Sequence, residues 1–185
     1  MKKCYYFCIV KLKNIKIMKT KSVLNLAIIA TTIWVAVTIW FVTLKIEFSQ
    51  NCTGYLQQAA DANTIELAID RLDRAIEYVE LNGWTDGYTS ILWKTEDDNI
   101  GFWYENLKAS RTELEEALDA SQMERTNVLM KLRETLVETD GDGTHITYPN
   151  GLWKYPHNME FAMLYLVINI LLFGAWIYYL IKNTL

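Results

Sequence analysis

Carboxylates, aromatics and thiols are the side chains in this sequence whose types and spacing could do chemistry. In Asp140-x-Asp142-Gly143, acids alternate ahead of a glycine, as they do inside a calcium loop. An EF-hand frame gives Glu138, Asp140 and Asp142 the first three ligand positions. It then sets His145 where an apolar residue is usual and Pro149 where the bidentate glutamate belongs. Asp140 and Asp142 are thus weak metal candidates, and a polar turn is the expectation. Aromatics form a second pattern: Trp84, Trp93, Trp103 and Trp153, with Tyr55, Tyr78, Tyr88, Tyr104, Tyr148 and Tyr155, lie among many acids. Such a mixture could line a sugar or cationic-ligand site through stacking and cation–π contact. It could equally be the core of a small domain rich in alanine.

Cysteine chemistry is sparse. Cys4 and Cys8 stand four apart near the N-terminus with no further ligand nearby, so free thiols are expected rather than half a metal site. Cys52 is alone in its segment. It is either a candidate interchain disulfide or a buried free thiol. Asn51-Cys52-Thr53 also matches the glycosylation sequon. Only His145 and His157 are available as imidazoles. No G-x-S-x-G, H-E-x-x-H, C-x-x-C, P-loop or G-x-G-x-x-G occurs, so no catalytic residue and no cofactor is expected.

The elements that must position these groups are set by two apolar runs. Val23–Leu44 carries no charge between Lys21 and Lys45, and Phe161–Ile181 carries none between Glu160 and Lys182. Twenty-two helical residues span roughly 33 Å, about the hydrocarbon thickness of a bilayer. The expected fold is therefore mainly α and membrane-bound: two transmembrane helices flank a helical-bundle-like extracytoplasmic domain with a small hairpin or loop element. Residues 1–22 form a Lys-rich tail, 23–44 the first span, 45–160 the domain, 161–181 the second span and 182–185 a short tail. Translation starting at Met18 would leave the same anchor.

Charge orients this arrangement. All 22 acids lie between Glu47 and Glu160, against ten Lys and Arg in the domain, a net −12. Seven lysines precede the first span and Lys182 follows the second. Positive flanks mark the cytoplasmic side, which places both termini inside and residues 45–160 in the periplasm or outside the cell. The acidic domain would repel phosphates, so nucleic acid is not an expected partner. No ionisable group lies within either span, which argues against a channel or pump.

Within the spans, small residues Ala27 and Thr31, and Thr32 and Ala36, allow close helix approach. Asn169 lies at the depth of Ala36 and is expected to bond a hydroxyl such as Thr38 or Thr32, or a second Asn169. Beyond Leu44 the helical period continues toward Ala62, with Gly54 as a point of breakage. Asn63 and Glu66 fit a capping box opening a helix whose stripe is Ile65, Ala68, Ile69, Leu72, Ala75, Ile76 and Val79. Asn82-Gly83 ends it. Tyr88–Trp93 reads as a short strand after the Asp86-Gly87 turn, and Thr95–Asp98 as a helix start. Residues 100–138 could form one unbroken helix, but the apolar stripe weakens at Arg111, Ser121 and Arg125, so two helices bent near Asp119–Gln122 are expected. His145–Tyr148 is expected to turn at Pro149-Asn150-Gly151 into Leu152–Tyr155.

In layout the chain is similar to the sensor half of bacterial chemoreceptors and sensor kinases: tail, span, helical exterior domain, span. The similarity covers topology without a shared motif, and only Lys-Asn-Thr-Leu follows Ile181. The sequence thus points to an integral membrane protein whose exterior domain is an interaction, scaffold or accessory module. Its partners would be the bilayer and another protein or a second copy. A ligand-sensing subunit acting through a membrane partner is the alternative, and a cell-envelope hydrolase with two carboxylates the third.

Overall fold

A computed structural model describes the main chain of residues 2–141 and 143–184 and the side chains of residues 24–139, 141 and 143–181. The protein is mainly helical, and two of its helices are long and apolar enough to cross a membrane. The chain divides into two compact units, Met1–Phe41 with Glu160–Leu185, and Val42–Met159.

The first unit pairs the apolar part of α1 (Lys2–Phe48) with α6 (Asn158–Thr184). Ala27 is fully buried, and beside it the Trp176 indole N–H donates to the Thr31 hydroxyl at 3.4 Å. Ala27 and Thr31, small residues one turn apart, leave room for that indole. The Phe161 ring stands edge-on to both Trp40 and Phe41, at centroid distances of 5.4 and 5.2 Å. The expected bond from Asn169 to the opposite span is not formed. Asn169 Nδ2 donates to the Tyr165 carbonyl at 2.7 Å, and the Thr38 and Thr32 hydroxyls donate to Trp34 and Ile28 carbonyls, each at 2.9 Å. Within a helix the carbonyl one turn back is the nearest acceptor for such side chains.

In the second unit α1 continues through a π-helical stretch, Ser49–Thr53, into α2 (Gly54–Ala60). The sequence places a break at Gly54, and the cause is visible there. A Cβ on Gly54 would stand 2.8 Å from the Ser49 carbonyl oxygen, so only glycine fits the widened turn. Next comes α3 (Ile65–Leu81), capped by Thr64, whose hydroxyl accepts from the Leu67 amide. The expected cap was Asn63. Thr64 takes the role because its extended φ and ψ present its own hydroxyl to the first turn. Six of the seven stripe residues are buried and Ile69 is half-buried.

Helices α4 (Ile100–Glu116) and α5 (Gln122–Leu136) are separate, with Ser121 capping the second, as the weakened stripe implied. Tyr104 bonds Glu80 and Arg111 pairs with Asp73, so α4 runs antiparallel to α3. Lys131 meets Glu113 and Arg125 meets Glu66, which turns α5 back along both. Their shared core holds Leu56, Leu72, Leu107, Leu114, Leu132 and Leu136.

Three loop expectations are corrected. Tyr88–Trp93 is not a strand: Tyr88 alone makes an isolated bridge to Asn99, while Ile91, Leu92 and Trp93 are exposed. Among the described residues its backbone is met only around that bridge, where the Thr89 amide donates to the Asp98 carbonyl at 3.0 Å and the Ile100 amide to the Gly87 carbonyl at 3.0 Å. Thr95–Asp98 gives only a single 3₁₀ turn, and Asn99 is the residue that caps α4, accepting from the Phe102 amide at 3.1 Å. The hairpin forms upstream of the expected one, between β1 (Val137–Asp140) and β2 (Gly143–Ile146), with Val137 opposite Ile146. Only two positions separate the strands in the sequence, the shortest common hairpin connection. Pro149–Gly151 instead leads into a 3₁₀ turn, Leu152–Lys154.

Candidate functional site

A groove of about 680 Å³ lies in the second unit between α4, the end of α5, the β1–β2 hairpin and the 147–150 loop. Its floor is apolar and sequestered: Trp103, Leu107, Leu136, Ile146 and Pro149 are all buried. Two bonds hold the wall in place. The Trp103 indole N–H donates to the Thr147 carbonyl at 3.0 Å, and the Thr147 amide donates to the Leu136 carbonyl at 2.9 Å. Burial pushes the Tyr148 phenol above its ordinary value, so this wall residue presents a neutral hydroxyl at physiological pH.

The rim is polar and acidic. Glu96, Asp97 and Glu138 stand on it with His145 and Asn150, and all five are exposed. Glu138 and His145 face each other across the hairpin. Among the described residues no Lys or Arg lines the groove. Phe102 also lines the groove, 65% exposed on a helix whose neighbouring Trp103 is buried. An unshielded phenyl ring beside an apolar floor and carboxylates suits an extended segment with apolar and cationic side chains.

The residues singled out from sequence fall in different places. Cys52 is wholly buried and free, and burial lifts its thiol to about 12. It is the buried-thiol reading that this position fits, since a bridge to a second chain would require the core to open. The main chain at Asp140 ends β1, opposite Gly143, in a hairpin rather than in the helix-flanked loop of an EF-hand. The side chains of Asp140 and Asp142 lie outside those described, and so do Cys4 and Cys8. Among the described residues, no group of three His, Cys, Asp or Glu is placed to hold a metal ion. The aromatics split: Trp84 and Trp103 are core, whereas Trp93 is 73% exposed.

Phe102 was not singled out from sequence. The stripe Ile100, Trp103, Leu107 leaves Phe102 off the buried face, and that mismatch was the available signal. The groove wall could not be found this way, because it depends on the hairpin pairing upstream. Compared with protein families, curated proteins and solved structures, the chain matches none.

Proposed function

We propose that this chain is a membrane-tethered interaction module, in which two spans hold an acidic helical domain outside the cytoplasm and its groove binds a segment of another protein. The observation that carries this reading is the exposed Phe102 ring beside an apolar floor of buried side chains. An aromatic left in water next to a preformed groove suits an anchor for a partner. The lysines before the first span and after the second support both termini being cytoplasmic and the domain being periplasmic or extracellular. The domain's charge of −12 works against pairing two such domains, so the favoured partner is a different protein with a basic face.

A photo-crosslinking residue in place of Phe102, in native membranes, tests this. The expected result is a discrete heavier adduct that Asn106→Trp, which fills the groove, suppresses. The same crosslinker at Met130 gives far less of it. Monomer alone at every dose would overturn the reading.

The groove's volume also lies within the range of small-molecule sites, about 300–1,000 Å³, which favours ligand sensing as the second reading. That reading expects the full chain to melt at a higher temperature with an amine or sugar from a metabolite panel, and Trp103→Ala to abolish the shift. Hydrolysis is less well supported. Three carboxylates line the groove, but all are exposed, and a carboxyl acting as general acid depends on burial.

A further inference from the structure

Two hydrogen bonds and a ring contact gather one end of the second unit around a single segment. The Phe48 ring, at the end of α1, packs on Trp84 with centroids 5.7 Å apart. The Trp84 indole N–H donates to the Tyr155 carbonyl at 3.0 Å. The Asn158 amide, at the first residue of α6, donates to the Thr89 carbonyl at 2.6 Å. Gly87 lies between these ties with φ +103°, and any Cβ there would collide with the Tyr155 hydroxyl. Segment 84–89 is therefore fixed to both points where the chain leaves this unit for its spans.

Immediately after this segment the chain reads Ser90-Ile-Leu-Trp-Lys94 and exposes its apolar side chains. Leu92 is 78% exposed and Trp93 73%, and Leu81, at the same end of α3, is 79% exposed. Four Cα-to-Cα steps lead from Thr89 to Trp93, so the loop tip lies within about 14 Å of the Asn158 tie. Lys94 closes the loop with its ammonium 4.5 Å above the Tyr88 ring. Exposed Leu and Trp flanked by Lys suit the headgroup layer, where indoles sit at the boundary and lysines reach phosphate. Water is also present in that layer, so a loop without regular backbone bonds is tolerated there.

We infer that the loop Ser90–Lys94, together with Leu81, is a lipid-binding foot that inserts into the outer interface of the membrane the chain spans. This rests on the membrane-tethered reading given above. Its consequence is that the domain is held at three places, two covalent and one through lipid, so that the loop restrains tilting of the domain on its anchors.

Spin labels on the full chain, in vesicles of equal parts phosphatidylcholine and phosphatidylglycerol, test the foot. The background carries Cys4→Ser, Cys8→Ser and Cys52→Ala, and single labels are placed through Leu92→Cys, Met123→Cys and Ile170→Cys. Met123 is the internal control: it is as exposed as Leu92 and as apolar, but the Arg125–Glu66 pair sets it at the opposite end of α3. The expected result is a ratio of oxygen to nickel-chelate accessibility several-fold higher at Leu92 than at Met123, and higher still at Ile170. Equal ratios at Leu92 and Met123, with Ile170 deep in lipid, overturn the foot and leave the anchor standing. A water-accessible Ile170 overturns both.

Discussion

Helices α3 and α6 are built from similar aliphatic residues and obey opposite rules. On α3 the apolar side chains gather on one stripe and disappear: Ile65, Leu72 and Val79 have no exposed surface, and Asp70 with Arg74 faces water. On α6 they surround the helix, with Ile170, Leu171 and Phe173 each more than 60% exposed. Backbone geometry is the same in both. What differs is the pattern: burial drives the one apolar stripe of α3 into a core, while α6 is apolar on every side, is long enough to cross a membrane and leaves most of that surface exposed. An apolar helix exposed on most sides is stable in hydrocarbon and is a liability in water.

Mutations should separate these two rules sharply. Leu72→Ala is expected to destabilise the full chain by about 3 kcal/mol, read by denaturant titration in detergent, because it leaves a cavity among α2, α3 and α4. Leu171→Ala should stay within about 0.5 kcal/mol. Equal costs would break the contrast. Placing charge on the span is the converse experiment. Ile170→Arg should cost about 3 kcal/mol of insertion free energy, seen as protein lost from the alkali-washed membrane fraction. Normal insertion would mean that α6 does not face lipid.

Cys52 sharpens the same contrast through pH. Its thiol has a folded value of about 12 against an ordinary 9.0, and burial is the cause. A raised value means that the folded state keeps a proton the unfolded state gives up. This contribution is whole below pH 9 and is lost as pH rises toward 12, with a slope of about 1.4 kcal/mol per unit. Tyr78, also raised to about 12 by burial and the nearby Glu47 charge, loses stability over an overlapping range above pH 10. The measurement is therefore the difference between the native chain and Cys52→Ala, whose alkaline slope should be shallower. Identical slopes would place Cys52 in water.

Smaller effects test the local corrections. Thr64→Ala and Asn99→Ala should each cost about 1 kcal/mol by removing a cap, while Asn63→Ala should be nearly silent. Reversal of the Thr64 and Asn63 results would restore the cap expected from sequence. Smallest of all, Arg74→Gln should change stability by no more than about 0.5 kcal/mol, since its pairing with Asp70 is exposed.

The groove was less legible than the helices. Its floor residues Trp103 and Leu107 belong to a stripe that the sequence displays, and their burial follows from period alone. The wall is Ile146–Asn150, and its position follows from Val137 pairing with Ile146. Sequence reading carried the helix on to Glu138 because Val137-Glu138 continues a helical run, and no local signal opposed it. Pairing with residues 143–146 outweighed that propensity.

Length, charge and apolar period pointed to the mainly helical character, the two candidate spans, the stripe of α3, a bend before Gln122 and a break at Gly54. Each depends on neighbours within one or two turns, and such contacts are written in the order of residues. The hairpin register, the enclosure of Cys52, the exposure of Phe102 and Trp93, and the meeting of segment 84–89 with residues 155–158 depended on the tertiary structure. These are contacts between residues far apart in the chain, 71 positions for Trp84 and Tyr155. Many pairings at that separation satisfy the same local pattern, and only packing them all at once selects one.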